Sequence, residues 1–210
     1  TDIDPADWDA LIATGTNHLL AISGLHIGLV AGFGYWLVFW LWRFSPTLCV
    51  WLPAQRAAAL LSLIPALMYA ALAGFSVPTQ RALIMLSVIA LGIAWSRSVT
   101  KTTLLAIALL AVLIFDSLAV LSAGFWLSFV AVAVIFAGLW GRSQQSGKIR
   151  QLVWVQLWLS LALLPLTFWF FGQGSLVSPL ANLLAVPFVG LIIVPLTLAG
   201  IVMLYLYSPI

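Results

Sequence analysis

Charge is what this 210-residue sequence has least of. It carries eight Lys or Arg, five Asp and no Glu, together 6% of the chain. A soluble domain needs about 25%, so a water-exposed globular fold is excluded. A hydrophobic content of 64% likewise excludes a disordered or coiled-coil chain. Cysteine is almost absent: Cys49 stands alone, so no internal disulfide can form and the redox compartment stays open. A clustered basic stretch is also missing, and the net charge of +3 therefore does not make a soluble nucleic-acid patch. The chain opens on Thr1 and acids rather than on Met and a basic run. That predicts no signal peptide and a fragment of something longer.

Long apolar runs fill the space that charge leaves. About 20 apolar residues cross a bilayer as a helix, and seven runs qualify, at 17–42, 57–75, 79–97, 102–115, 118–140, 151–171 and 179–207. The fold class expected is an all-α integral membrane bundle of about seven transmembrane helices. The fourth run is short, and the seventh is interrupted by Pro187 and Pro195, which predicts a broken segment. Asp4-Pro5-Ala6-Asp7 reads as a helix start, giving a short surface helix over residues 1–15. The stretch 141–147 reads as the most flexible linker, and no fixed-period repeat is visible.

The few charges alternate between the two sides. Arg43, Arg56, Arg97, Lys101, Arg142, Lys148 and Arg150 fall in connections on one side, and Asp2, Asp4, Asp7, Asp9 and Asp116 on the other. The positive-inside rule then predicts an extracytoplasmic N-terminus and a cytoplasmic C-terminal end. Trp40, Trp42, Trp51, Trp95, Trp140 and Trp154 at inner boundaries, with Trp126 and Trp169 at outer ones, fit an aromatic belt. Arg81 is the basic residue that this pattern leaves over.

The first run has two faces. Gly24, Gly28 and Gly32 share a stripe about 80° wide at 100° per residue, the small-xxx-small pattern of close helix packing. His18 and His26 lie on roughly the opposite face, with Ser23 at its edge. Ionisable groups at membrane depth are costly and mark functional sites by default; bonding to a neighbouring helix is the competing reading. Two histidines without nearby Cys or a facing carboxylate supply too few ligands for zinc, and no metal or cofactor is expected. Ser23 as a nucleophile needs a base from elsewhere, and the histidines share its helix.

The stretch Thr14-Gly15-Thr16-Asn17-His18-Leu19-Leu20-Ala21-Ile22-Ser23-Gly24-Leu25-His26-Ile27-Gly28-Leu29 closely resembles the signature of ComEC-type competence proteins. Three further segments resemble the same family in the same order: Val77-Pro78-Thr79-Gln80-Arg81-Ala82, Ala123-Gly124-Phe125-Trp126-Leu127-Ser128-Phe129, and Ser178-Pro179-Leu180-Ala181-Asn182-Leu183-Leu184-Ala185-Val186-Pro187. The resemblance implies that residues 1–210 form one competence-type channel domain in the bacterial inner membrane. It would pass single-stranded DNA to the cytoplasm during natural transformation, alongside other DNA-uptake machinery. No HxHxDH metal motif occurs, so any nuclease activity of the family would lie in a domain absent from this chain, and no enzyme activity is expected here. The alternatives are a secondary transporter of a small or anionic solute, which normally shows paired repeats, and an intramembrane serine hydrolase using Ser23 and His26.

In such a channel Arg81 is the expected phosphate contact, because a guanidinium holds phosphate bidentately. Snorkelling to headgroups or pairing with Asp116 is the competing role. His18, Ser23 and His26 would line the path. Phe125 and Trp126 would offer stacking platforms for bases. Asn182, in the broken seventh run, and Gln156 are amides at membrane depth, where hydrogen bonding between helices is the default. One arginine and two histidines are few partners for a polyanion. Either a water-filled pore solvates the strand, or a homodimer supplies a second set, or flanking domains capture it.

Overall fold

The computed structural model describes residues 14, 23–95, 99–138, 147–172 and 177–207. His18, the expected surface helix over 1–15 (Thr14 aside) and most of the 141–147 linker lie outside the described residues. Among the described residues every regular element is helical. The helices are α1 (Gly24–Trp42), α2 (Pro46–Trp51), α3 (Ala54–Leu61), α4 (Leu63–Leu72), α5 (Val77–Ala94), α6 (Lys101–Phe115), α7 (Ala123–Gly138), α8 (Lys148–Phe171), α9 (Ser178–Phe188) and α10 (Val194–Tyr207). The chain is an all-α membrane protein. Among the described residues four stretches are long and apolar enough to span a bilayer: Gly24–Trp42, Ala54–Leu72, Val77–Ala94 and Val153–Phe171.

Local sequence explains where these helices begin and bend. Ser62 separates α3 from α4 and returns its hydroxyl to the Ala59 carbonyl at 2.8 Å, a back-bond that bends helices. Thr100 caps α6 by accepting from the Thr103 amide at 3.2 Å. The 15 residues of α6 reach about 22 Å, shorter than a hydrocarbon core of about 30 Å, as its short apolar run predicts. Gly172 ends α8 at φ 66°, the left-handed cap that glycine adopts without steric cost. The small helix α2, started by Ser45 and Pro46, is an addition to the seven expected runs.

The chain divides into two compact units, one of residues 22–143 and another that includes 144–210. In the first, α1 packs on α3, α4 and α5, and α5 packs on α6 and α7. Two apolar clusters hold it together. Ile27, Ala31, Ala66 and Ala70 join α1 to α4, with Leu83 and Leu86 of α5 against them. Met85, Ala108, Val112, Phe125 and Phe129 join α5, α6 and α7. Alanine dominates the first cluster because, between lipid-solvated helices, close backbone approach and dispersion must supply the attraction.

The glycine stripe of α1 is used unevenly, which corrects the expectation that all three residues pack. A Cβ on Gly24 would stand 3.0 Å from the Ala82 Cβ, so this residue does sit tightly on α5. Gly28 and Gly32 meet nothing within 4 Å. They line an apolar groove of about 150 Å³ with Ala31, Ala59, Ala90 and Ile93. Opposite them on α3 stands the small Ala59, and the larger Leu86, Ile89 and Ile93 of α5 wall the groove without filling the space the glycines leave. A still tighter contact on α1 lies at Gly34, where a Cβ would fall 2.7 Å from Pro65 Cγ.

In the other unit, the seventh run does not break at its prolines. Helical backbone continues from α9 through a π-turn at Val189–Ile193 into α10. Pro195 cannot donate a backbone hydrogen bond, and its ring crowds the carbonyl of Leu191 four residues earlier. A wider turn over those residues relieves that crowding.

Candidate functional site

Three helices of the 22–143 unit start at the same end. Gly24 at the beginning of α1 lies 3.6 Å (from its would-be Cβ) to the Pro78 carbonyl at the beginning of α5. Arg81, one turn into α5, reaches the beginning of α7. This end gathers the buried polar residues His26, Thr79 and Arg81.

The local sequence before α5 sets Arg81 in place. Gly74 and Phe75 both adopt left-handed backbone, at φ 64° and 48°, a conformation that disfavours a side chain as large as Phe. It is held by the Phe75 amide donating to the Ala70 carbonyl at 2.9 Å and by Gln80 Nε2 donating to the Phe75 carbonyl at 2.7 Å. Pro78 then occupies the first turn, where its missing N–H costs nothing. Thr79 is fully buried and donates its hydroxyl to the Ser76 carbonyl at 2.6 Å.

Arg81 is only 6% exposed. Its Nη1 donates to Ser122 Oγ at 3.2 Å. Ser122 in turn donates to the Ala119 carbonyl at 2.8 Å and accepts from the Phe125 amide at 3.3 Å, which makes it the cap of α7. The guanidinium occupies the space beside Gly124, where a Cβ would stand 2.8 Å from Nη2. Nε is buried without a hydrogen-bond partner among the described residues. Of the two competing roles for Arg81, snorkelling does not fit, because the side chain is enclosed; Asp116 is close enough to act on the guanidinium through space. Asp116 spends Oδ1 on the Leu118 amide at 3.1 Å, and among the described residues it forms no direct ion pair with Arg81.

His26 is 5% exposed, and its Nδ1 accepts the Ser23 amide at 3.3 Å. The imidazole thus takes the place that Glu or Gln fills in a capping box. Ser23 Oγ lies 3.5 Å from the same Nδ1, beyond the reach expected of a nucleophile and its base. This geometry serves helix initiation.

The aromatic pair separates. Phe125 is 1% exposed, 4.8 Å from the Phe129 ring and inside the α5–α7 core. The expected stacking role is therefore corrected: the first turn of α7 points this ring inward. Trp126 is 41% exposed, stands edge-on to Phe125 at 5.5 Å, and donates Nε1 to the Val120 carbonyl at 2.9 Å. It keeps an accessible face.

Within the 144–210 unit, Asn182 is 7% exposed and donates Nδ2 to Ser178 Oγ at 2.9 Å. Its Oδ1 is buried with no partner among the described residues. Gln156 is half-buried on α8. Among the described residues no group of three or more His, Cys, Asp or Glu could hold a metal ion.

A competence protein family model matches residues 1–210, the whole chain. The chain belongs to the competence protein family. It is 42% identical over 204 residues to competence protein ComA of Neisseria gonorrhoeae, covering 93% of this chain and 28% of that protein. It is 34% identical over 211 residues to recombination protein 2 of Haemophilus influenzae, covering 95% and 26%. It is 33% identical over 196 residues to ComE operon protein 3 of Bacillus subtilis, covering 91% and 24%. The chain thus spans about a quarter of each of these relatives. No solved structure matches it.

Against this family membership, the structure brings residues 23–29 of the first recognisable segment together with the segments beginning at Val77 and Ala123 at one end of the 22–143 unit. Sequence reading missed Ser122, which receives Arg81, and gave Gly124 no role. A signal existed for the first: a serine directly before an apolar helix is a preferred N-cap. Nothing local pairs either residue with an arginine more than 40 positions earlier.

Proposed function

We propose that this region forms the inner-membrane channel through which a single DNA strand passes to the cytoplasm during DNA uptake. One observation carries the reading. A guanidinium is buried at a cluster of helix starts, takes only a neutral hydroxyl as hydrogen-bond partner among the described residues, and feels Asp116 only through space. A buried cation costs several kcal/mol unless paired, and membrane-embedded charges mark ion and substrate pathways. Family membership and the match of recognisable segments to this end support it further. So do Arg43, Arg56 and Lys101, which sit at the opposite helix ends, as expected with the N-terminal side outside and the C-terminal end cytoplasmic.

The test is uptake of labelled DNA by competent cells whose only copy is the full-length protein. Arg81→Ala should lower uptake by roughly tenfold or more, the loss of a charge-assisted phosphate contact. Arg43→Ala, an exposed residue at the opposite end of α1, should leave uptake near normal at equal membrane abundance. Normal import by the Arg81→Ala protein would remove this reading.

A further inference from the structure

We infer that the beginning of α7 and the free edge of Arg81 together form a seat for one phosphodiester group, kept usable by the missing side chain of Gly124. The inference rests on the channel reading above and names the atoms that would hold the strand.

Arg81 spends one nitrogen, Nη1, on Ser122. The Nε–Nη2 edge of the guanidinium is the other half of the fork, and neither nitrogen has a hydrogen-bond partner among the described residues. That edge is the one that binds two oxygens of a single anion in parallel. Nη2 lies over Gly124, so this edge is set beside the first turn of α7. The amides of a first turn have no carbonyl partner within their own helix. Ser122 caps the Phe125 amide, which leaves those of Ala123 and Gly124 as donors at the positive end of the helix dipole.

A guanidinium at that position meets a field of its own sign. Asp116 offsets that field only through space: its Oδ1 is committed to the Leu118 amide, and among the described residues it forms no direct ion pair with the guanidinium. An anion that bridges the edge and the helix start removes both deficits. Donors come from two directions, one in the guanidinium plane and one along the α7 axis. That arrangement suits a tetrahedral phosphate better than a planar carboxylate. The site offers one full charge and about half of another from the dipole, which matches a phosphodiester monoanion.

Lipid headgroups carry the same chemistry, but they are reached by exposed bases at the perimeter, and Arg81 is enclosed between α5 and α7. Because Nε is enclosed, a phosphate reaches the edge only when the starts of α5 and α7 part. Gly124 matters in that movement, since any Cβ there would push the guanidinium off the helix start.

The experiment uses the full-length protein in phosphatidylcholine nanodiscs, with Trp126 replaced by the photo-crosslinker p-benzoylphenylalanine. The probe is labelled oligothymidylate, either with phosphodiester or with uncharged methylphosphonate linkages. Cross-linking to the phosphodiester strand is expected, and roughly tenfold less to the methylphosphonate strand. Gly124→Ala and Arg81→Lys should each bring the phosphodiester yield down towards the methylphosphonate level, with melting temperatures near wild type. Equal yields for both strands, or yields unchanged in both variants, would overturn the seat. Cross-linking to phospholipid in place of the strand would also overturn it, in favour of a headgroup site. DNA uptake by the cross-linker protein without strand cross-linking removes the seat alone, whereas loss of strand passage from wild-type protein removes the channel reading itself.

Discussion

Arg81 and Asn182, one in each compact unit, are buried polar groups held by different means. In residues 22–143, Arg81 is held by Ser122, a residue 41 positions away on another helix. In residues 144–210, Asn182 bonds Ser178 one turn back on its own helix. The first arrangement exists only when α5 and α7 are correctly docked, whereas the second forms whenever α9 does. A polar site built between helices therefore reports on tertiary structure, and one built along a helix reports on secondary structure alone.

Substitutions can break that contrast, beginning with the core beneath the interhelical site. Phe125→Ala should destabilise the protein by about 2–4 kcal/mol, measured by unfolding in mild detergent. The lower part of the range for such truncations is expected because lipid-like solvent removes much of the transfer term and leaves the cavity. Gly34→Ala comes next. Its Cβ would press on the Pro65 ring, and overpacking of this kind costs about 1–3 kcal/mol. The same change at Gly28, over the open groove, should be neutral or stabilise by up to about 1 kcal/mol through helix propensity. An equal loss at both glycines would show that the groove closes in the membrane. Ser122→Ala should cost at least about 1 kcal/mol for the lost helix cap, with the lost Arg81 bond added to it. Its value lies in the comparison: Ser178→Ala should change stability without affecting DNA uptake, whereas Ser122→Ala should reduce both.

Most of the helices were legible because a bilayer leaves few options. Apolar runs of sufficient length must be helical to satisfy their backbone, so their existence follows from composition. The short fourth run is recognisable on the same ground. What composition does not encode is which face of each helix meets another. Gly24, Gly28 and Gly32 look equivalent at helical spacing, and only the residues opposite them decide that the first packs while the others border a groove. Arg81 stood out because it broke the charge alternation, yet its partner did not. Ser122 is an ordinary cap when read locally, and its second role depends on how α5 and α7 dock. Phe125 and Trp126 are neighbours of like chemistry, separated by 100° of helix rotation into a core residue and an accessible one. His26 shows a further ambiguity. A histidine three residues after a serine can serve a helix start as well as a pathway.

The π-turn at Val189–Ile193 changes how the end of the chain must be counted. Bonding five residues apart instead of four takes up one additional residue without lengthening the helix by a full turn. Side chains after Ile193 are thereby rotated by roughly 100° from the positions that an uninterrupted helix would give them. Alignments that treat 178–207 as one even helix will therefore match residues of α10 to the wrong face. Relatives differing by a single-residue deletion there would present the same surface with an apparently shifted sequence.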